Sequence, residues 1–235
     1  MTGLEHLDTV DPQPALDRPT LRIDGRQPLS RAAVAALDAA CDTAEDRGGR
    51  DTLIVELSGA PQRPWPHDLT VSLVSKWERA LRRLERLPAA TVAIVDGDCG
   101  GLALETLLAT DYRIATNSGR LVVTAGGEAT WPGMAVYRLA RHAGSAAAIR
   151  RAVLFGTPVE AADALALQLV DELADDLPRA LAAAARRVGG VCGTELAIRR
   201  QLMAEASSTS FEEALGVHLA ACDRALRRAT AGAAS

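Results

Sequence analysis

The chain has 235 residues, 48% hydrophobic and 24% charged, with a formal net charge of −4. That length suits one large domain, or a core with a small appendage, and it is long enough to bury a sizeable core. No run approaches the roughly 18 apolar residues of a membrane span, the start lacks the basic-then-apolar order of a secretion signal, and an acidic balance with 3% aromatic residues argues against a nucleic-acid binder; a soluble, cytoplasmic protein is expected.

Residues 1–19 carry Pro12, Pro14 and Pro19 and read as a flexible lead-in. Residues 21–24 form a short strand closed by Asp24-Gly25. Ser30 then caps an amphipathic helix with Ala33, Leu37, Ala40 and Ala44 on one face, ending at Gly48-Gly49. Residues 52–57 (TLIVEL) are a buried strand, and residues 58–68 (SGAPQRPWPHD) a long proline-dense loop of the kind that often carries function. A long helix of mixed polarity covers residues 69–87. Residues 91–95 (TVAIV) form another buried strand, broken by Asp96-Gly97, and Gly100-Gly101 opens an apolar helix over residues 102–109. Short strands follow at 112–115 and 120–123. After the loop TAGGEATWPGM the remainder is nearly all helix, at 135–140, 145–155, 159–165, 177–188, 194–207 and 210–228. Strand–helix alternation followed by helices indicates an α/β core with a helical C-terminal part.

Cys41, Cys99, Cys192 and Cys222 are widely spaced and read as reduced core thiols. His6, His67, His142 and His218 are scattered, so no metal site is expected. Arg138, Arg141, Arg150 and Arg151 follow helical spacing and read as a solvated or subunit-facing stripe.

The segment that carries chemistry is VAIVDGDCGGLALETLLATDYRIA, residues 92–115. A buried strand runs into a glycine turn that opens directly onto a helix. The first helical N–H groups have no intrahelical acceptor and sit at the positive end of the dipole, a place where an oxyanion is stabilised. Glu105 follows Leu102 by three residues, on the face that looks back toward the helix start. Two readings stand side by side: an anion hole with a carboxylate base, or a tight turn with a glutamate satisfying the helix dipole.

These residues resemble the crotonase (enoyl-CoA hydratase/isomerase) family, whose motif reads A-x-V-x-G-x-A-x-G-G-G-x-E-L-x-x-x-x-D-x-x-x-A. The match is gapless from Ala93 to Ala115, with Gly97, Gly101, Glu105, Asp111 and Ala115 in place. Arg26-Gln27-Pro28-Leu29 resembles the segment where the family admits substrate. GTPVEAADALALQLVDEL at residues 156–173 is similar to the family's tG-x-x-x-x-A-x-x-A-x-x-x-G-L-V-d stretch, and SFEEAL at 210–215 to the start of its C-terminal helix.

The resemblance implies an α/β fold: a flexible lead-in at 1–19, a spiral core of ββα turns over 20–174, and a helical region at 175–235 used for oligomerisation, giving a homotrimer or hexamer. It implies an acyl-CoA thioester as substrate, with coenzyme A entering as part of that substrate and no separate cofactor. Glu105 corresponds to the first catalytic glutamate. The backbone N–H groups that hold the thioester oxygen correspond to Leu102 and, in the poorly matched WPHDL loop, to His67. Arg26, Asp68, Gly101, Trp131 and Gly133 fall at substrate or CoA positions, and Arg22 is a further candidate for the CoA phosphates. The family's second glutamate aligns with Ala125, so that carboxylate is missing, and Glu128 lies three residues on. A one-base site is implied: proton removal beside a thioester, dehydration of a 3-hydroxyacyl-CoA, or loss of independent turnover. The sequence ends in ACDRALRRATAGAAS where the family usually has E-G-x-x-A-F-x-E-K-R. That combination resembles the DpgB-type subgroup of 3,5-dihydroxyphenylglycine formation in glycopeptide-antibiotic pathways. Its members assist a type III polyketide synthase, beside other crotonase-like pathway proteins, in making 3,5-dihydroxyphenylacetyl-CoA. High alanine and arginine-for-lysine usage agree with an actinobacterial source.

Overall fold

In the computed structural model, which describes residues 18–62, 69–124, 133–142, 146–206 and 208–233, the apolar runs pair into one sheet. Its strands are β1 (Thr20–Asp24), β2 (Leu53–Gly59), β3 (Thr91–Gly100), β4 (Tyr112–Ala115), β5 (Arg120–Val122), β6 (Val159–Glu160) and β7 (Glu172–Leu173). Strands β1, β2, β3, β4 and β7 lie side by side in that order, all parallel, while β5 joins the far end of β3 and pairs antiparallel with β6. Alternate residues leave opposite faces of a strand. Leu53, Val55 and Leu57 of β2, with Ala93 and Val95 of β3, therefore enter the main core. Ile54 and Val92 enter a smaller cluster on the other face. Both faces are apolar because helices cover both.

Helices α1 (Arg31–Asp46), α2 (Val71–Leu84) and α3 (Leu102–Leu107) contribute to the main core, and α7 (Leu177–Val188) covers the smaller cluster through Ala180 and Ala184. The starts of α1, α2 and α7 are fixed by short polar side chains, which satisfy N–H groups that have no partner inside the helix. Ser30 Oγ accepts from the Ala33 N–H at 3.2 Å, Thr70 Oγ1 from Leu73 at 3.2 Å, and an Asp176 carboxylate oxygen from Arg179 at 3.0 Å. Further along lie α4 (Ala135–His142), α5 (Ala146–Phe155) and α6 (Ala161–Ala166), followed by α8 (Gly193–Glu205) and α9 (Phe211–Ala233) beyond α7.

Several expectations are corrected. Asp96-Gly97 does not break its strand. Gly97 takes a φ of 71°, open to glycine, and the strand bends there and changes neighbour. Val92–Val95 pair with β4, whereas Asp98–Gly100 pair with β5. Val159 and Glu160 are strand rather than helix because Leu121 and Arg120 offer them ladder partners. The cysteines divide: Cys41 and Cys99 are core thiols, Cys192 is exposed and Cys222 half-buried. Arg138 is not part of a solvated stripe. It is buried, with Nη2 2.9 Å from Glu78 on α2 and Nε 2.8 Å from Glu85, the residue that follows α2.

The motif aspartate holds the fold together. An Asp111 carboxylate oxygen accepts from the Thr91 N–H at 2.7 Å and from its hydroxyl at 2.8 Å, locking the start of β3 to the end of the turn after α3. Buried Arg200 of α8 reaches the same carboxylate, with Nε 2.7 Å away, and also donates to the carbonyls of Leu87 and Ala89. One guanidinium thus ties the C-terminal helices to the sheet.

Candidate active site

The turn between β3 and α3 is tight because two glycines let other chain segments close on it. A Cβ on Gly100 would come within 2.8 Å of the Ala60 side chain and 2.9 Å of the Val122 carbonyl oxygen. Gly101, with φ 53°, would place a Cβ 2.6 Å from Pro61 Cγ. Leu102 is the first residue of α3, which has no side-chain cap at its start. Every residue from Gly101 to Thr110 is buried.

Glu105 points into this packed region with a side chain that is 0% exposed. A buried carboxylate is tolerated only when donors compensate the lost water. Trp77 of α2 supplies one, its indole Nε1–H donating to Glu105 Oε2 at 2.8 Å. On the other side lies Gly133, where a Cβ would sit 1.5 Å from Oε1 and 2.5 Å from Oε2. No side chain fits at that position while the carboxylate stays where it is. The same helix fixes the start of α4: Glu78 Oε1 accepts from the Met134 N–H at 2.9 Å, and Glu78 Oε2 pairs with Arg138. Helix α2 therefore holds both walls around Glu105.

Beside Gly133 is a cavity of about 10 Å³, close to the space of a single water, lined by Gly101, Leu104, Val122, Thr124, Gly133 and Val136. Thr124 Oγ1 is buried and has no hydrogen-bond partner among the described residues. A larger cleft of about 430 Å³ runs past the ends of β1 and β2, lined by Arg26, Ser58, Ala60, Gln62, Asp96 and Asp98 among others. It shares Val122 with the small cavity. Arg26 is anchored there by Asp24, with Nε and the carboxylate oxygen 3.0 Å apart. Arg22 pairs instead with Glu56 on the neighbouring strand.

The structure thus gathers Gly101, Leu102, Glu105 and Gly133 at one turn and sets Arg26 at the mouth of the adjoining cleft. His67, Asp68, Ala125, Glu128 and Trp131 lie outside the described residues. Sequence reasoning did not single out Trp77 or Thr124. For Trp77 the available signal was its helical spacing with Leu73, Leu81 and Leu84, which marks a core face. For Thr124 it was the place immediately before Ala125. Among the described residues no helix is long and apolar enough to cross a membrane, and no group of three or more His, Cys, Asp or Glu gathers as metal ligands do.

No protein-family model matches the chain. It is, however, 55% identical over 208 residues to an Amycolatopsis orientalis protein described as an enoyl-CoA hydratase, an alignment covering 88% of this chain and 95% of that one. Among solved structures it is similar to an enoyl-CoA hydratase of Mycobacterium smegmatis, with a TM-score of 0.73 at 21% identity, over 87% of this chain and 86% of that one. It is also similar to an enoyl-CoA hydratase-like protein of Thermobifida fusca in complex with CoA, with a TM-score of 0.72 at 18% identity over 92% of each chain. At these identities the structural likeness is one of fold.

Proposed function

This chain belongs to the enoyl-CoA hydratase (crotonase) family, and on that premise we propose that it is a lyase-type enzyme acting on a polyketide-derived CoA thioester, with Glu105 as its single acid–base carboxylate. The observation that carries this reading is the placement of Glu105 at the strand-to-helix turn, fixed by Trp77 and faced by a glycine rather than a side chain. In the reaction that suits one carboxylate, Glu105 takes a proton from the carbon beside the thioester. The developing enolate oxygen is assigned to two backbone N–H groups, Leu102 at the start of α3 and, by correspondence with the family's motif, His67. The enolate then expels the 3-hydroxyl group, which leaves as water with the proton that Glu105 carried, so that a 3-hydroxyacyl thioester becomes an enoyl thioester. Arg26, Asp68, Gly101, Trp131 and Gly133 are assigned to substrate and CoA by their correspondence with the family's binding positions. Coenzyme A comes with the substrate, and neither a separate cofactor nor a metal takes part.

Ala125, standing where the family has its second glutamate, separates this chain from an ordinary two-carboxylate fatty-acid hydratase. The product assigned to the pathway is 3,5-dihydroxyphenylacetyl-CoA, made with a type III polyketide synthase and other crotonase-like proteins in the manner of the DpgB-type subgroup. The working form is a cytoplasmic homotrimer or hexamer joined through the C-terminal helices. A second reading, a non-catalytic partner that binds the synthase or its product, is favoured by the complete burial of Glu105.

Incubation with 3-hydroxyacyl- and enoyl-CoA thioesters, with and without a type III polyketide synthase, separates these readings when products are followed by mass. Gain or loss of water by the isolated protein supports the enzyme. Enhancement of the synthase alone, unaffected by Glu105→Gln, supports the binding partner. Turnover of crotonyl-CoA at rates ordinary for the family would instead make the chain an ordinary fatty-acid enoyl-CoA hydratase.

A further inference from the structure

A buried indole N–H needs an acceptor and a buried carboxylate needs donors. Trp77 and Glu105 meet both needs in one bond, formed between residues 28 positions apart in the chain, at 2.8 Å. Both side chains are 0% exposed, so the bond is out of competition with water. It also discriminates between the two carboxylate oxygens. Oε2 takes the indole proton, while Oε1 is the oxygen nearest the Gly133 main chain, 1.5 Å from where a Cβ would stand against 2.5 Å for Oε2. Gly133 is shared with the water-sized cavity that Thr124 and Gly101 also line. The side of the carboxylate turned away from Trp77 is therefore the side bordered by that cavity's wall.

We propose that Trp77 is a positioning residue for Glu105, clamping Oε2 so that Oε1 alone exchanges the proton with the group entering between Gly133 and the α3 turn. The inference rests on the reading of Glu105 as the acid–base carboxylate. It adds which oxygen reacts and what prevents the carboxylate from rotating. It also gives α2 a second task beyond packing: Trp77 sets the base, and the next residue, Glu78, sets the wall it faces by holding Met134 and Arg138. Glu85, the residue that follows α2, engages the same arginine. The indole N–H favours the ionised carboxylate, so its loss is expected to raise the pH at which Glu105 titrates.

The test uses nuclear magnetic resonance on the full chain without substrate, followed by kinetics. The three tryptophans give three indole N–H signals, and the Trp77 signal is the one missing from Trp77→Phe. In the parent that signal titrates together with the Glu105 carboxyl carbon, and it moves upfield in Glu105→Gln. In Trp77→Phe the Glu105 midpoint rises by about one pH unit, the scale of one hydrogen bond to a charged group. The acidic limb of the rate profile follows it, with kcat about tenfold lower and KM little changed. Leu81→Val, a core change on the same helix, lowers thermal stability and leaves the midpoint in place. An unmoved midpoint in Trp77→Phe, or an indole signal indifferent to Glu105→Gln, overturns the proposal. Should Trp77→Phe fail to fold, the Glu105→Gln arm decides, since it leaves Trp77 intact. Absence of turnover in the parent counts against the functional reading alone, because the resonance arms need no substrate.

Discussion

The unit from β3 through α3 to β4 and the pair of helices α8 and α9 are stabilised in opposite ways. In the first, residues Gly101–Thr110 are all buried, and Trp77 and Gly133, from other parts of the same chain, flank Glu105. In the second, Phe211 is 75% exposed and Leu219 56%, and of the described side chains of α9 only Ala221 is buried. Arg200 of α8 on Asp111 joins the two. The contrast is one of enclosure: the turn is packed within its own chain, whereas the tail carries apolar surface that the described core does not cover.

The largest expected effect comes from breaking the closed unit at its tightest point. Gly133→Ala forces a methyl group into the Glu105 carboxylate, so either that carboxylate or the start of α4 must move. Thioester turnover should fall by roughly 10²-fold or more, as for loss of a positioned acid–base group. Stability should fall by only about 1–3 kcal/mol, the usual cost of overpacking, and parallel kinetics and thermal melts check the pair of effects. Next in size is the anchor. Arg200→Met removes a buried guanidinium and leaves Asp111 and two carbonyls without it, which should cost about 3 kcal/mol, read as a drop in the denaturant midpoint with α9 losing protection from proteolysis first.

How far the sequence carried is visible in the same two regions. The glycine turn at Gly101 and the place of Glu105 in the helix it opens were legible because spacing along one strand, turn and helix is local information. Ser30 and its helix were legible because a cap is a contact between near neighbours. Trp77 was not, since its tie to Glu105 closes over 28 residues and depends on how α2 lies across the sheet. Arg138 was misjudged for the same reason: helical spacing placed it on a stripe, but only tertiary structure brings Glu78 and Glu85 to it. Gly97 misled in a different way, because a positive φ reads as a break in sequence and acts here as a bend at which one strand changes partners.

Smaller effects sharpen the contrast from the other side. Phe211→Ser together with Leu219→Ser should change the stability of the isolated chain by no more than about 0.5 kcal/mol, as exposed positions do, while lowering the assembled mass seen by light scattering; unchanged assembly places the interface elsewhere. The smallest perturbation uses the thiols. Burial pushes Cys41 up to about 12 and raises Cys99 as well, and the reactive species is the thiolate. A disulfide reagent at pH 8 should therefore label Cys192 and Cys222 in the native protein and reach the two core thiols only on unfolding.

The central claim is that one carboxylate, Glu105, moves the proton beside a thioester. It is tested most directly by incubating the protein with an acyl-CoA thioester in deuterated water and following deuterium incorporation at the carbon next to the thioester by mass. The parent should exchange that position, and Glu105→Gln, which keeps the side-chain volume but takes no proton, should do so at least ~10²-fold more slowly while remaining folded and still binding CoA. Equal exchange by the parent and Glu105→Gln would contradict the account and leave Glu105 as a structural carboxylate.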